Sequence, residues 1–292
     1  MARTSCGYGW SDCPRPVRGQ VRDFVSKLSE ILGSNLVGVY LHGSLAMGCF
    51  NPHASDIDVL VITKRRVGRQ KLRLASLALA TSLKPRPIEV TTFSKRDLNP
   101  WRYPTPFDFH FSEDWRTAYE SGTALRRMGK RGEDPAAHLA ETRARGVVLL
   151  GPPIESVFPT VPVLDFLDSV FGDFRWALRK LNENATIEGR MNASTYLVLN
   201  SCRILGFLEN GRVLSKAEGG DWALGVVPQE YAPVVRQALH AYRHTNIRGD
   251  HFNLALVHSF ATWVMRKTNA VSGSDWSEKS SIEEHDPRLK EK

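Results

Sequence analysis

The most informative stretch of the sequence is VGVYLHGSLAMGCFNPHASDIDVLVI, at residues 37–62. Its beginning continues an apolar run over 36–41 that is typical of a buried strand, and the run passes into a turn at 42–44. A second strand, rich in Val, Leu and Ile, is predicted over 56–63. Two buried strands joined by a glycine turn and a polar loop predict the centre of a sheet.

The turn and the second strand carry residues suited to a nucleotide and a metal. Gly43 lets the backbone approach a phosphate closely, and Ser44 offers a hydroxyl and an amide where a helix begins. Asp56 and Asp58 alternate along a strand, so their carboxylates project from one face. Because the strand that follows is apolar, two acids there are costly to bury without a cation, and Mg²⁺ bound to phosphates suits them. The alternative is a polar strand start with no ligand.

A third acid, Glu89, lies in a strand predicted over 87–93. If this strand neighbours the aspartate strand, Glu89 faces the same cleft, where a carboxylate can act as a general base towards a hydroxyl. The alternative is an exposed position on an edge strand.

Strands alternating with helices and followed by a helical half predict an α+β protein. We expect a mixed sheet with helices over 1–155, closed by Gly-Pro-Pro at 151–153, an all-α helical bundle over 156–271, and a disordered tail over 272–292. The stretch 97–112 is expected to be a long loop with a packing or substrate role. Helices are predicted at 17–32, 70–83, 113–128, 134–145, 163–181, 195–208, 216–224, 233–242 and 253–267, and a further strand at 147–150.

Composition narrows the class of protein. The net charge of +8 is scattered rather than gathered into a stripe, so we expect no nucleic-acid partner. Four cysteines without a close pair argue against a zinc cluster or a disulfide framework. With no apolar run of signal-peptide or membrane-span length, we expect a cytoplasmic protein with no membrane contact. We also expect a monomer.

In the order and spacing of its motifs, the chain resembles the nucleotidyltransferase superfamily, and more closely the aminoglycoside adenylyltransferases of the streptomycin/spectinomycin (3″)(9) type. The shared motifs are HGS at 42–44, SDIDVLV at 55–61, IEVT at 88–91, PWRYP at 100–104, Trp115, Gly-Pro at 151–152, SKAEG at 215–219, WAL at 222–224 and AYR at 241–243. They run through both predicted domains, so the resemblance implies a nucleotidyltransferase domain followed by a helical one.

The resemblance implies transfer of AMP from Mg-ATP to a hydroxyl of an aminoglycoside-like antibiotic, with release of pyrophosphate. It implies Mg²⁺ ligands at Asp56, Asp58 and Asp134, with Glu89 as catalytic base. The ATP contacts expected are Gly43, Ser44, Ser55, Lys216 and Tyr242, and the substrate contacts are Trp115, Glu113, Glu183 and Glu188. The acids among the substrate contacts suit a polycationic acceptor.

The family pattern is incomplete here. Streptomycin-modifying members keep an acid 23 positions before the ATP lysine, where this chain has Ala193, and the stretch 182–192 lacks a Trp to match their sugar-stacking residue. Glu183 and Glu188 are the candidates to replace that acid.

Several of these residues have a structural alternative. Asp134 before Pro135 is a good helix cap, Ser215 with Glu218 forms a capping box, and Trp115 suits a core. Two other functions compete with the antibiotic acceptor: transfer to an RNA or protein hydroxyl, and a regulatory module that has lost catalysis.

Overall fold

The computed structural model describes residues 7–124, 135–184, 186–244 and 251–272. The chain forms two compact units, Met1–Ser169 and Val170–Lys292. The predicted tail lies outside the described residues from 273 onward. Among the described helices, none combines the length and the apolar content needed to cross a membrane.

The first unit contains a five-stranded sheet and its covering helices. Its strands are β1 Leu36–His42, β2 Ile57–Thr63, β3 Ile88–Ser94, β4 Phe109–Phe111 and β5 Val147–Leu150. Its helices are α1 Arg15–Leu32, α2 Gly43–Met47, α3 Gln70–Thr81, α4 Lys95–Leu98, α5 Arg116–Glu120 and α6 Ala136–Arg145, and α7 Val163–Glu183 begins in it. Short 3-10 turns occupy Gly33–Asn35, Glu113–Trp115 and Ile154–Ser156.

The sheet is mixed, which confirms the predicted fold class. The strand order is β4-β3-β2-β1-β5, with β2 and β3 parallel and the pairs β1–β2, β1–β5 and β3–β4 antiparallel. A parallel pair needs a crossover connection, which α3 supplies between β2 and β3.

Each face of the sheet has its own core. On one face the strands contribute Val59, Val61 and Val90 to a cluster with the apolar stripe of α1, and α1 packs against α3 there. On the other face Tyr40, Leu60 and Phe93 pack with residues that include Leu139 of α6 and Phe158. Side chains alternate between the faces, so the apolar stripe of this second face continues into polar residues where β2 and β3 begin.

The compact units divide after Ser169, inside α7, and the domain boundary at residue 155 stays a prediction. The first turns of α7 are bound by the segment 97–112. Trp101 Nε1 donates to Asp165 at 2.7 Å, and the Tyr103 hydroxyl donates to Asp168 at 2.7 Å. Ser169 Oγ accepts from the backbone N–H of Ala137 at 3.0 Å. These contacts join residues that are far apart in sequence, so they could not be predicted from the Gly-Pro-Pro motif at 151–153.

The prediction of one irregular loop over 97–112 was wrong in part. The loop has the expected packing role, but Phe109–Phe111 forms β4, whose two phenylalanines are buried and whose His110 lies opposite Thr91. The predicted helix over 113–128 is interrupted, because α5 ends at Glu120 and Gly122 follows with a φ of +70°. Residues 125–134 lie outside the described part of the chain.

The second unit is helical, as predicted. After α7 it contains α8 Ile187–Asn210, α9 Lys216–Ala223, α10 Ala232–Arg243 and α11 Leu254–Ser272, with a 3-10 turn at Gln229–Tyr231. The helix α8 contacts α9, α10 and α11 and is buried along much of its length. It begins eight residues earlier than position 195, because Thr186 caps it by accepting from the N–H of Gly189 at 3.1 Å.

Candidate active site

The strand register brings the two acids of the central strands together. His42 on β1 lies opposite Asp58 on β2, and Asp58 lies opposite Glu89 on β3. Residues paired across neighbouring strands project from the same face. The second face therefore carries a row of His42, Asp58 and Glu89 beyond its apolar core. The strand of Glu89 does neighbour the aspartate strand, which is the condition set above for Glu89 to face the same cleft.

Asp56 lies on the exposed approach to this row. It precedes β2 and is two residues from Asp58 along an extended backbone. Arg86 lies beside it: its guanidinium donates to the backbone oxygens of Ser55 at 2.9 Å and His53 at 3.1 Å. Burial lowers the pKa of Arg86 and the charge of Asp56 opposes that shift. Sequence reasoning missed Arg86, which gives no motif signal and reaches the loop only through the fold.

The turn at Gly43 lies very close to the side chain of Asp58. Gly43 has a φ of +62°, and a Cβ atom built on it lies 1.9 Å from Oδ2 of Asp58. Only glycine fits this conformation and spacing without strain. Ser44 follows as the second residue of α2, and the Ser55 hydroxyl accepts from the backbone N–H of Asn51 at 3.0 Å, which closes the loop before Asp56.

We expect Gly43→Ala to impair activity more than stability. The left-handed φ costs an L-residue roughly 1–2 kcal/mol, and the added methyl must displace the Asp58 carboxylate. Misplacement on this scale reduces kcat/KM by roughly 10²-fold. Steady-state kinetics and thermal unfolding measure both effects.

Gly19→Ala is the matched control, because Gly19 lies in α1 with no atom near its added Cβ. That variant should be fully active and slightly more stable. Full activity in Gly43→Ala would show that the close turn is not needed.

One histidine lies next to Glu89, and two others lie near it on β1 and β4. Nδ1 of His138, on α6, is 3.9 Å from Oε1 of Glu89, and the His138 ring centroid is 5.0 Å from that of His42. On the far side of β3, His110 Nδ1 lies 2.9 Å from the Thr91 hydroxyl. Burial lowers the pKa of His110 to about 4, and the charge of His138 acts in the same direction. His110 is therefore neutral near pH 7.

Two predicted substrate contacts have structural roles. Glu113 accepts from Arg116 Nε at 2.6 Å and from the Ser82 hydroxyl, and its pKa is held below the ordinary value chiefly by the hydrogen bond from Arg116. Trp115 packs against the core on the α1 face and lies edge-on to His110, with ring centroids 6.5 Å apart. Trp115 is only partly buried, so its contact with substrate stays a prediction.

The predicted residues of the second unit lie on four helices. Lys216 opens α9, and its Nζ is 4.4 Å from the ring centroid of Tyr196 on α8. Tyr242 lies half-buried in the last turn of α10. The capping box before Lys216 is confirmed, since Ser215 Oγ accepts from Glu218 N at 3.2 Å and Glu218 Oε2 accepts from Ser215 N at 2.8 Å.

Glu183 and Glu188 are exposed on either side of the turn between α7 and α8. Glu188 lies in the first turn of α8, where a carboxylate is favoured by the helix dipole. Ala193 is buried in the same helix.

The donor set suits a hard cation. Asp56 and Asp58 provide carboxylate oxygens, which Mg²⁺ prefers. The backbone of Gly43 lies so close to the Asp58 carboxylate that only a glycine fits there. Within the described ranges, no group of three or more His, Cys, Asp or Glu side chains is arranged to hold a metal ion. Asp134, the third ligand expected from the resemblance, lies outside those ranges.

Comparison with known proteins identifies the family of the chain. The family model described as the nucleotidyltransferase domain matches residues 20–103, and the model described as the C-terminal domain of aminoglycoside adenylyltransferase matches 156–267. Aminoglycoside (3″)(9) adenylyltransferase of Klebsiella pneumoniae is 30% identical over 237 residues, covering 77% of this chain and 85% of that protein. Spectinomycin 9-adenylyltransferase of Staphylococcus aureus strain N315 is 29% identical over 225 residues, covering 74% and 81%.

A solved structure shares the fold. Spectinomycin adenyltransferase AAD(9) from Enterococcus faecialis, crystallised with ATP and spectinomycin, aligns with a TM-score of 0.69 over 85% of this chain and 98% of that one, at 20% identity. The chain therefore belongs to the aminoglycoside adenylyltransferase family and is an enzyme of the nucleotidyltransferase type.

Proposed function

We propose that this enzyme transfers AMP from Mg-ATP to a hydroxyl of an aminoglycoside-like antibiotic and releases pyrophosphate. The observation that carries the proposal is the row of Asp58 and Glu89 on adjacent parallel strands beside the Gly43 turn. The names of the relatives, and the ATP and spectinomycin of the solved neighbour, support the nucleotide and the acceptor class.

Asp56 and Asp58 are the residues that would hold Mg²⁺, with Asp134 as the third expected ligand. The metal would supply Lewis-acid stabilisation of charge on the phosphates. Asp58 and Glu89 are paired in the parallel strand register and project from the same face, so a cation beside Asp58 would also offset the repulsion between their carboxylates.

Glu89 is the group placed to accept a proton. In the proposed step the acceptor hydroxyl attacks the α-phosphorus of ATP, its proton passes to the Glu89 carboxylate, and the bond to pyrophosphate breaks. The Glu89 side chain is 24% exposed, so a hydroxyl can reach it from solvent. Ser44 and Lys216 are proposed to contact the triphosphate, with Gly43, Ser55 and Tyr242 as further ATP contacts.

The acceptor we favour is spectinomycin rather than streptomycin. Position 193 carries a buried alanine where streptomycin-modifying members keep an acid, and residues 182–192 contain no tryptophan. A buried methyl group cannot pair with a guanidinium group of streptomycin. Glu183 and Glu188 are exposed carboxylates that remain candidates for contacting a cationic acceptor.

Pyrophosphate release from Mg-ATP, measured across a panel of spectinomycin, streptomycin and kanamycin, tests this proposal. We expect release with spectinomycin and little with the other two. Release with streptomycin at an equal kcat/KM would refute the acceptor preference. A wholly negative panel would refute the antibiotic acceptor and favour an RNA or protein hydroxyl.

A further inference from the structure

The imidazole of His138 lies beside the proposed base, Glu89, with its Nδ1 atom nearest to the carboxylate. Its Nδ1 atom is buried and makes no hydrogen bond within the described part of the chain. The carboxylate oxygen that it approaches is Oε1 of Glu89, at 3.9 Å. A buried polar atom without a hydrogen bond destabilises the folded protein, so the placement of Nδ1 beside Glu89 needs an explanation.

Packing holds this imidazole in place. The ring of His42 lies 5.0 Å from that of His138 at an interplanar angle of 39°, and His42 is itself buried at the end of β1. The next residue of α6, Leu139, is fully buried in the core on this face of the sheet. The His138 side chain is still 29% exposed and Glu89 is 24% exposed, so the pair lies at the open side of the sheet.

We propose that His138 is a positioning residue for Glu89, an inference that rests on the proposed function. Its Nδ1–H donates to Oε1 when the acceptor binds, which fixes the carboxylate and leaves Oε2 for the acceptor hydroxyl. The present separation is longer than a hydrogen bond, and contacts to catalytic groups commonly shorten when substrate binds. A carboxylate free to rotate presents its oxygen to the hydroxyl for less of the time, which lowers the rate of the chemical step.

Two substitutions separate a donor role from a packing role. His138→Asn places an amide N–H near the position of Nδ1, whereas His138→Leu keeps much of the volume and removes the donor. We expect the Leu variant to lose roughly tenfold or more in kcat, with the KM for ATP unchanged. The Asn variant should keep a rate close to that of the unmodified enzyme.

Ala144→Asn, on the exposed side of α6, is the control for placing asparagine in this helix and should be fully active. If His138→Leu fails to fold, His138→Gln replaces it, because its amide lies one bond further out and misses the position of Nδ1.

A double-mutant cycle with Glu89→Gln completes the test. If His138 acts through Glu89, adding His138→Leu to Glu89→Gln changes the rate little, because the base is already lost. Full activity of His138→Leu, equal losses in the Leu and Asn variants, or multiplied losses in the double variant would each overturn the positioning role. Unchanged turnover in Glu89→Gln alone would instead overturn the proposed function.

Discussion

Asp58→Asn is expected to abolish turnover while the protein stays folded. The substitution keeps the shape of the side chain beside Gly43 but removes one of the negative charges proposed to hold Mg²⁺. Loss of several kcal/mol of transition-state stabilisation corresponds to a fall of roughly 10³-fold in kcat. Folding should be unaffected or favoured, since the change also relieves repulsion between Asp58 and Glu89.

Pyrophosphate release and thermal unfolding, both measured over a range of Mg²⁺ concentrations, check this expectation. Asp56→Asn should behave in the same way, and Asp23→Asn, at an exposed position on α1, is the control for loss of one acid. Normal turnover in either site variant would end the metal assignment.

Glu89→Gln is expected to slow the chemical step by roughly 10²–10⁴-fold, the usual contribution of a general base. Glutamine keeps the size and the hydrogen-bonding capacity of the side chain but does not accept the acceptor's proton. The affinity for Mg-ATP should therefore persist. Single-turnover rates and calorimetric ATP titration on the same variant measure the two quantities.

The same pair of measurements separates a base from a third metal ligand. If Glu89 bound the metal, Glu89→Gln would weaken Mg-ATP binding, and the defect would ease at high Mg²⁺. Glu30→Gln, exposed on α1, serves as the control. An unchanged single-turnover rate would leave Glu89 an ordinary strand residue.

The central strands could be predicted from sequence because they are buried on both faces. Their unbroken apolar runs, bounded by a glycine turn and a polar loop, define β1 and β2 to within a residue. The alternation of Asp56 with Asp58 then follows from strand geometry. The pairing of Glu89 with Asp58 could not be predicted from the apolar runs, because the parallel pairing of β2 with β3 joins residues far apart in sequence.

The parts of the site that the sequence did not reveal depend on tertiary structure. The strand β4 has three residues, too few for a period of two to stand out. His138 meets Glu89 only because α6 packs on the sheet, and its single imidazole matches no ligand spacing. Glu113 was expected to bind substrate because it is acidic, and nothing in the sequence indicated its pairing with Arg116, which also contacts Glu120.

Incubation of the enzyme and spectinomycin with ATP radiolabelled at the α-phosphorus tests adenylyl transfer most directly. We expect the label to move to the antibiotic in equal amount to the pyrophosphate released, and the transfer to stop when EDTA removes Mg²⁺. ATP labelled at the γ-phosphorus should leave the antibiotic unlabelled. Transfer of the γ-label, or an antibiotic that stays unlabelled while α-labelled ATP is consumed, would contradict adenylyl transfer to this acceptor.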